Sequence, residues 1–177
     1  MYKKLLAIIF ISGFLNSCDV VDELTKFDLT YDTNIIIESS TVLDLPINII
    51  SPEVETNSEQ EFDNNNTRVD LVESIKLRRL KMEIITPDEG DFNFLNEIRI
   101  FIRADGFEEI LIASAITIPE NNSKTLELDI ENIELLDYVR QENYTLRTET
   151  ITDEVISENH QINIETVFRV DAKILGI

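Results

Sequence analysis

A chain of 177 residues is long enough for one domain with a real core, and its 35 acidic against 15 basic side chains give a formal net charge of −20. A field of that sign repels phosphate backbones and anionic lipid surfaces, which excludes DNA or RNA as the expected partner. One His, one Cys, four Gly and no Trp leave little to build catalysis from. No G-x-S-x-G, H-E-x-x-H or glycine-rich phosphate loop is present, so no catalytic or cofactor-binding residue and no cofactor is expected.

Met1-Tyr2-Lys3-Lys4 opens the chain with positive charge. Residues 5–15 are apolar apart from Ser12 and Gly13, and Asn16-Ser17-Cys18 closes the run with small or polar side chains and the single cysteine. That order is the order of a secretory signal peptide. The run is too short for a spanning helix, which needs roughly 20 apolar residues. Leu15-Asn16-Ser17-Cys18 resembles the lipobox of bacterial lipoproteins: Leu15, Ser17 and Cys18 match, and Asn16 departs from the usual Ala, Ser or Thr. The resemblance implies cleavage before Cys18, a diacylglycerol on its thiol and an acyl chain on its amine. Two or more acyl chains anchor a protein stably where one does not. Removing residues 1–17 takes away Lys3 and Lys4 but no acid, so the remainder is more acidic still. The acids after the cysteine, Asp19, Asp22 and Glu23, resemble the surface-export signal of Bacteroidota-type lipoproteins, whereas Asp19 in an enterobacterial lipoprotein would resemble an inner-membrane retention signal. The expected location is the outer membrane, at the cell surface or otherwise facing the periplasm.

Residues 18–25 read as the lipidated terminus and tether, and residues 26–177 as one folded domain. Phe27, Leu29 and Tyr31 alternate with polar residues, as on a half-buried strand, and Ile35-Ile36-Ile37 reads as a buried strand run. Residues 41–50 continue in strand-rich composition, with Pro46 marking an edge or a bulge. Residues 53–67 are acidic and Asn-rich, with only Val54 and Phe62 apolar, and predict a long exposed loop with one helical turn near Glu59. Two alternating halves, 75–77 and 80–84, are offset by one residue at Arg78-Arg79, which predicts a β-bulge.

Residues 87–91 form a turn, and Phe92, Phe94 and Leu95 predict an apolar plug at one end of the core. Residues 98–103 and 109–118, joined through Asp105-Gly106, predict a hairpin. Leu126, Leu128 and Ile130 alternate after a turn at 120–123. Asn132 is a plausible N-cap for one short helix over residues 133–141. Tyr144, Leu146 and Thr148 lie on one face of a strand, and Ile162, Ile164, Thr166, Phe168, Val170, Ala172 and Ile174 on one face of the last. The single His160 reads as a surface residue in the turn before it.

Many short strands with turns at close intervals and one minor helix predict an all-β antiparallel sandwich. The strand and turn spacing of residues 77–118 is similar to that of uncharacterised Bacteroidota-type surface lipoproteins with immunoglobulin-like sandwiches, a likeness that bears on fold more than on function. Asp88, Glu89, Asp91 and Asn93, folded around Gly90, are the best candidate for a Ca²⁺ cluster, but their spacing is not that of an EF-hand, so a solvated turn is the favoured reading and no metal site is expected. Residues 53–67 and 88–94 together are the expected contact surface. The expectation is a lipid-anchored, non-enzymatic binding or scaffolding module for a protein or glycan partner. The competing expectations are a periplasm-facing accessory of a membrane complex and a small acidic hydrolase working through carboxylates.

Overall fold

The structure is a computed structural model that describes residues 25–41 and 43–173. Cys18, residues 1–17, most of the tether and Ile174 lie outside the described residues. In chain order the elements are β1 (Lys26–Ile37), β2 (Ile47–Ile50), β3 (Val54–Glu55), α1 (Ser58–Asn64), a 3-10 turn (Val69–Leu71), β4 (Val72–Thr86), β5 (Leu95–Arg103), β6 (Ile110–Ile116), β7 (Thr125–Glu127), β8 (Asp129–Ile130), α2 (Leu136–Val139), β9 (Asn143–Thr152) and β10 (His160–Ala172). One sheet runs β1-β10-β4-β7; the other runs β2-β9-β5-β6-β8, with β3 also paired to β9. Every pairing is antiparallel. The expected antiparallel β-sandwich is what the chain forms.

Period-two alternation drives the layers together. Ile75, Leu77, Leu80, Met82 and Ile84 of β4 are buried with Ile162, Ile164, Phe168 and Val170 of β10, and they face Ile98, Ile100 and Ile102 of β5. Leu77 pairs with Phe168 and Arg79 with Val167, so Arg78 is the extra residue of the expected bulge and both halves of β4 keep their apolar side inward. The run at residues 35–37 does not behave as a fully buried strand. Ile35 and Ile37 are buried and Ile36 is exposed, because β1 alternates to its end. Between residues 41 and 50 only β2 is a strand, and Pro46 directly precedes this edge strand, where no ladder donor is missing.

Two further expectations shift. Leu126, Leu128 and Ile130 do not share one strand: β7 pairs with β4 in the first sheet, β8 with β6 in the second, and buried Leu128 carries the crossing. The helix over 133–141 shrinks to α2, and Asn132 does not cap it; its Oδ1 accepts from Lys76 Nζ at 3.0 Å. Glu134 satisfies the helix start instead. Its carboxylate accepts from the amides of Ile75 (2.7 Å), Leu135 (3.2 Å) and Leu136 (3.1 Å) and from the Ser74 hydroxyl (2.7 Å), which ties the helix to the sheet.

Register sorts the connections into two ends. Lys26 pairs with Asp171, and Ala172 with Val72, so the chain enters the domain beside the start of β4 and the end of β10. The segments 51–71, 104–109 and 131–142 gather at this near end. Ile37 pairs with His160, Gln161 with Thr86, and Leu95 with Thr152, which gathers 38–46, 87–94, 117–124 and 153–159 at the opposite, far end. A twelve-residue strand separates the two ends by about 40 Å.

Candidate functional site

Residues 53–67 are not the exposed loop expected from their composition. Val54 is buried on β9, and Phe62 of α1 is fully buried against Phe27, ring centroids 6.4 Å apart. Side chains tie the rest to backbone. The Thr56 hydroxyl donates to Gln141 O at 2.5 Å, Ser58 to Arg140 O at 3.2 Å and Thr67 to Lys173 O at 2.6 Å, while Tyr31 donates to Thr56 O at 2.9 Å. Tyr31 also joins Tyr144 and Phe168 in a triangle of rings with centroids 6.0 Å apart. Burial, reinforced by the Glu61 charge, pushes the Tyr31 phenol above its ordinary range; burial does the same to Tyr144, opposed by its hydrogen bond with Thr166. The segment is part of the core at the near end. Two near-end clefts, of about 670 and 760 Å³, share Glu142 and Asn143 and open beside it.

The other half of the expected contact surface, 88–94, lies at the far end, so the two segments do not meet. The Ca²⁺ candidates are also divided. Asp91 Oδ1 accepts from the Asn93 amide at 3.0 Å, and the Asn93 side chain turns away to Asn122, donating to its Oδ1 at 2.6 Å and accepting from its amide at 3.1 Å. Glu89 and Asp91 line a cavity of about 240 Å³ whose opposite wall carries Glu154 and Glu158; Asp88 does not line it. Among the described residues, no three His, Cys, Asp or Glu side chains converge as a metal ligand set. Gly90 shapes this turn, since a Cβ there would come within 3.0 Å of both Ile84 Cγ2 and Pro87 O.

His160 lines the same cavity and is not a surface residue: it is 8% exposed, its ring lies 4.6 Å from that of Phe94, and Nδ1 is 3.0 Å from Glu158 O. A carbonyl only accepts, so Nδ1 is the donor in this hydrogen bond. The Phe92–Phe94 plug is as expected, both rings being buried with Leu95.

Both ends of the sandwich are acidic, and near-end acids such as Glu53, Glu59, Asp63 and Glu142 form no ion pair among the described residues either. On the strands several acids are neutralised locally, Asp28 by Arg78 and Arg169, Glu165 by Arg79 at 2.6 Å and Glu83 by Lys81 at 2.9 Å, and at the near end Glu109 pairs with Arg147, whose guanidinium also sits 4.0 Å over the Phe101 ring. The four far-end segments hold two, three, one and three acids in chain order against the single base Lys124, and none of these acids forms an ion pair among the described residues. Exposed large apolar side chains cluster at the same end: Ile36, Leu43, Leu45, Ile85, Ile116 and Val155.

No protein-family model matches the sequence, and no curated protein sequence matches it. Among solved structures the chain is similar to FLHE, at 5% identity and a TM-score of 0.33 over 82% of this chain and 98% of that one. It is similar to a chain of Desmodium yellow mottle tymovirus at 11% identity and a TM-score of 0.29, over 86% and 91% of the two chains. A carbohydrate-binding module of the β-sandwich superfamily follows at 12% identity and a TM-score of 0.16, over 84% of this chain and 55% of that one. The sandwich assignment rests on the strand pairing itself.

Proposed function

We propose that the protein is a membrane-tethered, non-enzymatic binding module that meets its partner with the far end of the sandwich. The observation that carries the proposal is the register at Lys26, which puts the start of the domain at the end opposite the acidic, apolar-studded segments. A tether of residues 18–25, acylated at Cys18, reaches at most about 25–30 Å when fully extended. With the near end held that close to a bilayer, the far end stands roughly another 40 Å out, clear of the anionic headgroups that its own charge repels. The lipid anchor and an outer-membrane, outward-facing placement are supported by the lipobox resemblance at Leu15-Asn16-Ser17-Cys18 and the acids that follow it.

Fractionation and protease shaving of intact cells, wild type against Cys18→Ala, test this reading. The wild type is expected in the outer-membrane fraction with its far end accessible to protease, and the variant is expected in the soluble fraction. Retention of Cys18→Ala in the membrane would refute the anchor. Protection of the wild type until lysis would refute the outward orientation and make a periplasmic membrane complex the place to look for a partner.

A further inference from the structure

Three observations at the far end point to one kind of partner. The first is the cavity, whose two walls carry Glu89 and Asp91 on one side and Glu154 and Glu158 on the other, with no lysine or arginine among its lining residues. The second is His160, nine-tenths buried in that lining, whose Nε2 has no hydrogen-bond partner among the described residues. The third is the apolar rim. Val155, 55% exposed, belongs to the cavity wall, and Leu45, 59% exposed, follows Asp44, whose amide bonds Thr152 O at 2.9 Å at the same end.

A spherical metal ion needs converging ligands, and the carboxylates here do not converge on one point. An ammonium or guanidinium group donates to several separated oxygens and can rest against the Phe94 ring. A free polycation would leave Leu45 and Val155 in water, whereas a protein surface covers them while its cationic side chains meet the unpaired acids.

We propose that the far end docks a protein surface in which lysine or arginine side chains stand next to apolar ones, one cationic side chain entering the cavity between residues 87–94 and 154–160. The proposal rests on the reading of this end as the contact surface, and its test is independent of the lipid anchor.

The probe is a fluorescent synthetic peptide of alternating lysine and leucine, titrated by anisotropy into the detergent-solubilised full chain, with a glutamate–leucine peptide as the control. Three variants are compared, each first matched to wild type in its urea midpoint. The cavity variant is Glu89→Gln with Asp91→Asn, Glu154→Gln and Glu158→Gln. The near-end variant loses the same number of charges through Glu55→Gln, Glu59→Gln, Asp63→Asn and Glu142→Gln. The rim variant is Leu45→Ser with Val155→Ser, and it serves alone if the cavity variant does not fold. The lysine–leucine peptide is expected to bind about tenfold more weakly to the cavity and rim variants and within about twofold of wild type to the near-end variant. Equal loss in the cavity and near-end variants would reduce the effect to bulk charge and overturn the proposal. Unchanged binding to the rim variant with full displacement by spermine would replace the protein partner with a small polycation. Self-association of the wild type through this end, abolished in the rim variant, would replace it with a second copy of the chain. No binding of the lysine–leucine peptide, with the Cys18→Ala fractionation as expected, would sink the partner chemistry and leave the anchored module standing.

Discussion

Residues 53–67 and residues 87–94 are both acidic connections with few apolar side chains, yet the sandwich uses them in opposite ways. The first segment commits its hydroxyls to backbone carbonyls, buries Thr56 and Thr67 completely and drives Phe62 into the core. The second buries its phenylalanines but no hydroxyl, while both segments leave acids without an ion pair among the described residues, Glu53, Glu55, Glu59, Glu61 and Asp63 in the first and Asp88, Glu89 and Asp91 in the second. Polar composition therefore says little about whether a connection is structural or free. What decides is whether each polar group finds a fixed partner, because a buried polar group without one costs free energy and an exposed one does not.

The comparison can be broken most sharply at Phe62. Phe62→Ala is expected to cost about 3–5 kcal/mol, since the ring is fully buried. Val155→Ser at the far end is expected to stay within about 0.5 kcal/mol of wild type. Urea melts of the two variants check both values, and a mild Phe62→Ala would return residues 53–67 to the status of a loose loop.

Alkali should attack the near half next. The folded state holds the Tyr31 and Tyr144 phenols above their ordinary value, so it keeps protons that the unfolded chain releases above about pH 10. The unfolded state then binds fewer protons than the folded one, and stability falls as pH rises. Stability is thus full below about pH 10 and is lost on the way up towards the folded values. Tyrosinate absorbance and circular dichroism should move together in that window; ionisation of both tyrosines with the fold intact would contradict their burial.

Glu134→Ala removes an acceptor shared by three amides and the Ser74 hydroxyl, and is expected to destabilise by about 1–3 kcal/mol in the same urea assay. The smallest effect has the opposite sign. Thr150 is fully buried on the far half of β9 with a hydroxyl that has no partner among the described residues, so Thr150→Val is expected to stabilise by about 1 kcal/mol, read as a raised thermal midpoint.

The strands were readable because alternation survives even across the Arg78 bulge, where the one-residue slip is visible in the sequence. The plug at Phe92 and Phe94 was readable for the same reason, being apolar side chains in a polar turn. What stayed hidden depends on partners far away in the chain. Glu134 could not be told from any other acid until β4 supplied Ser74 and Ile75. His160 looked solvated until Phe94 covered it. The change of sheet at Leu128 leaves no mark on a pattern that alternates on both sides of it. The candidate surface was half legible: 88–94 belongs to the acidic far end, while 53–67 gave its function-like composition to a structural role, and Glu154 and Glu158 carry no local signal that they would face Glu89 and Asp91.

Native-state hydrogen exchange on the full chain tests the contrast between the two ends most directly. The amides of Thr56 and Thr67, bonded to Glu142 O and Phe62 O, are expected to exchange only on global unfolding, while those of Glu154 and Val155 exchange at close to the rate of a free peptide. Fast exchange at Thr56 and Thr67 would contradict the account, because residues 53–67 would then be as free as the acidic far end.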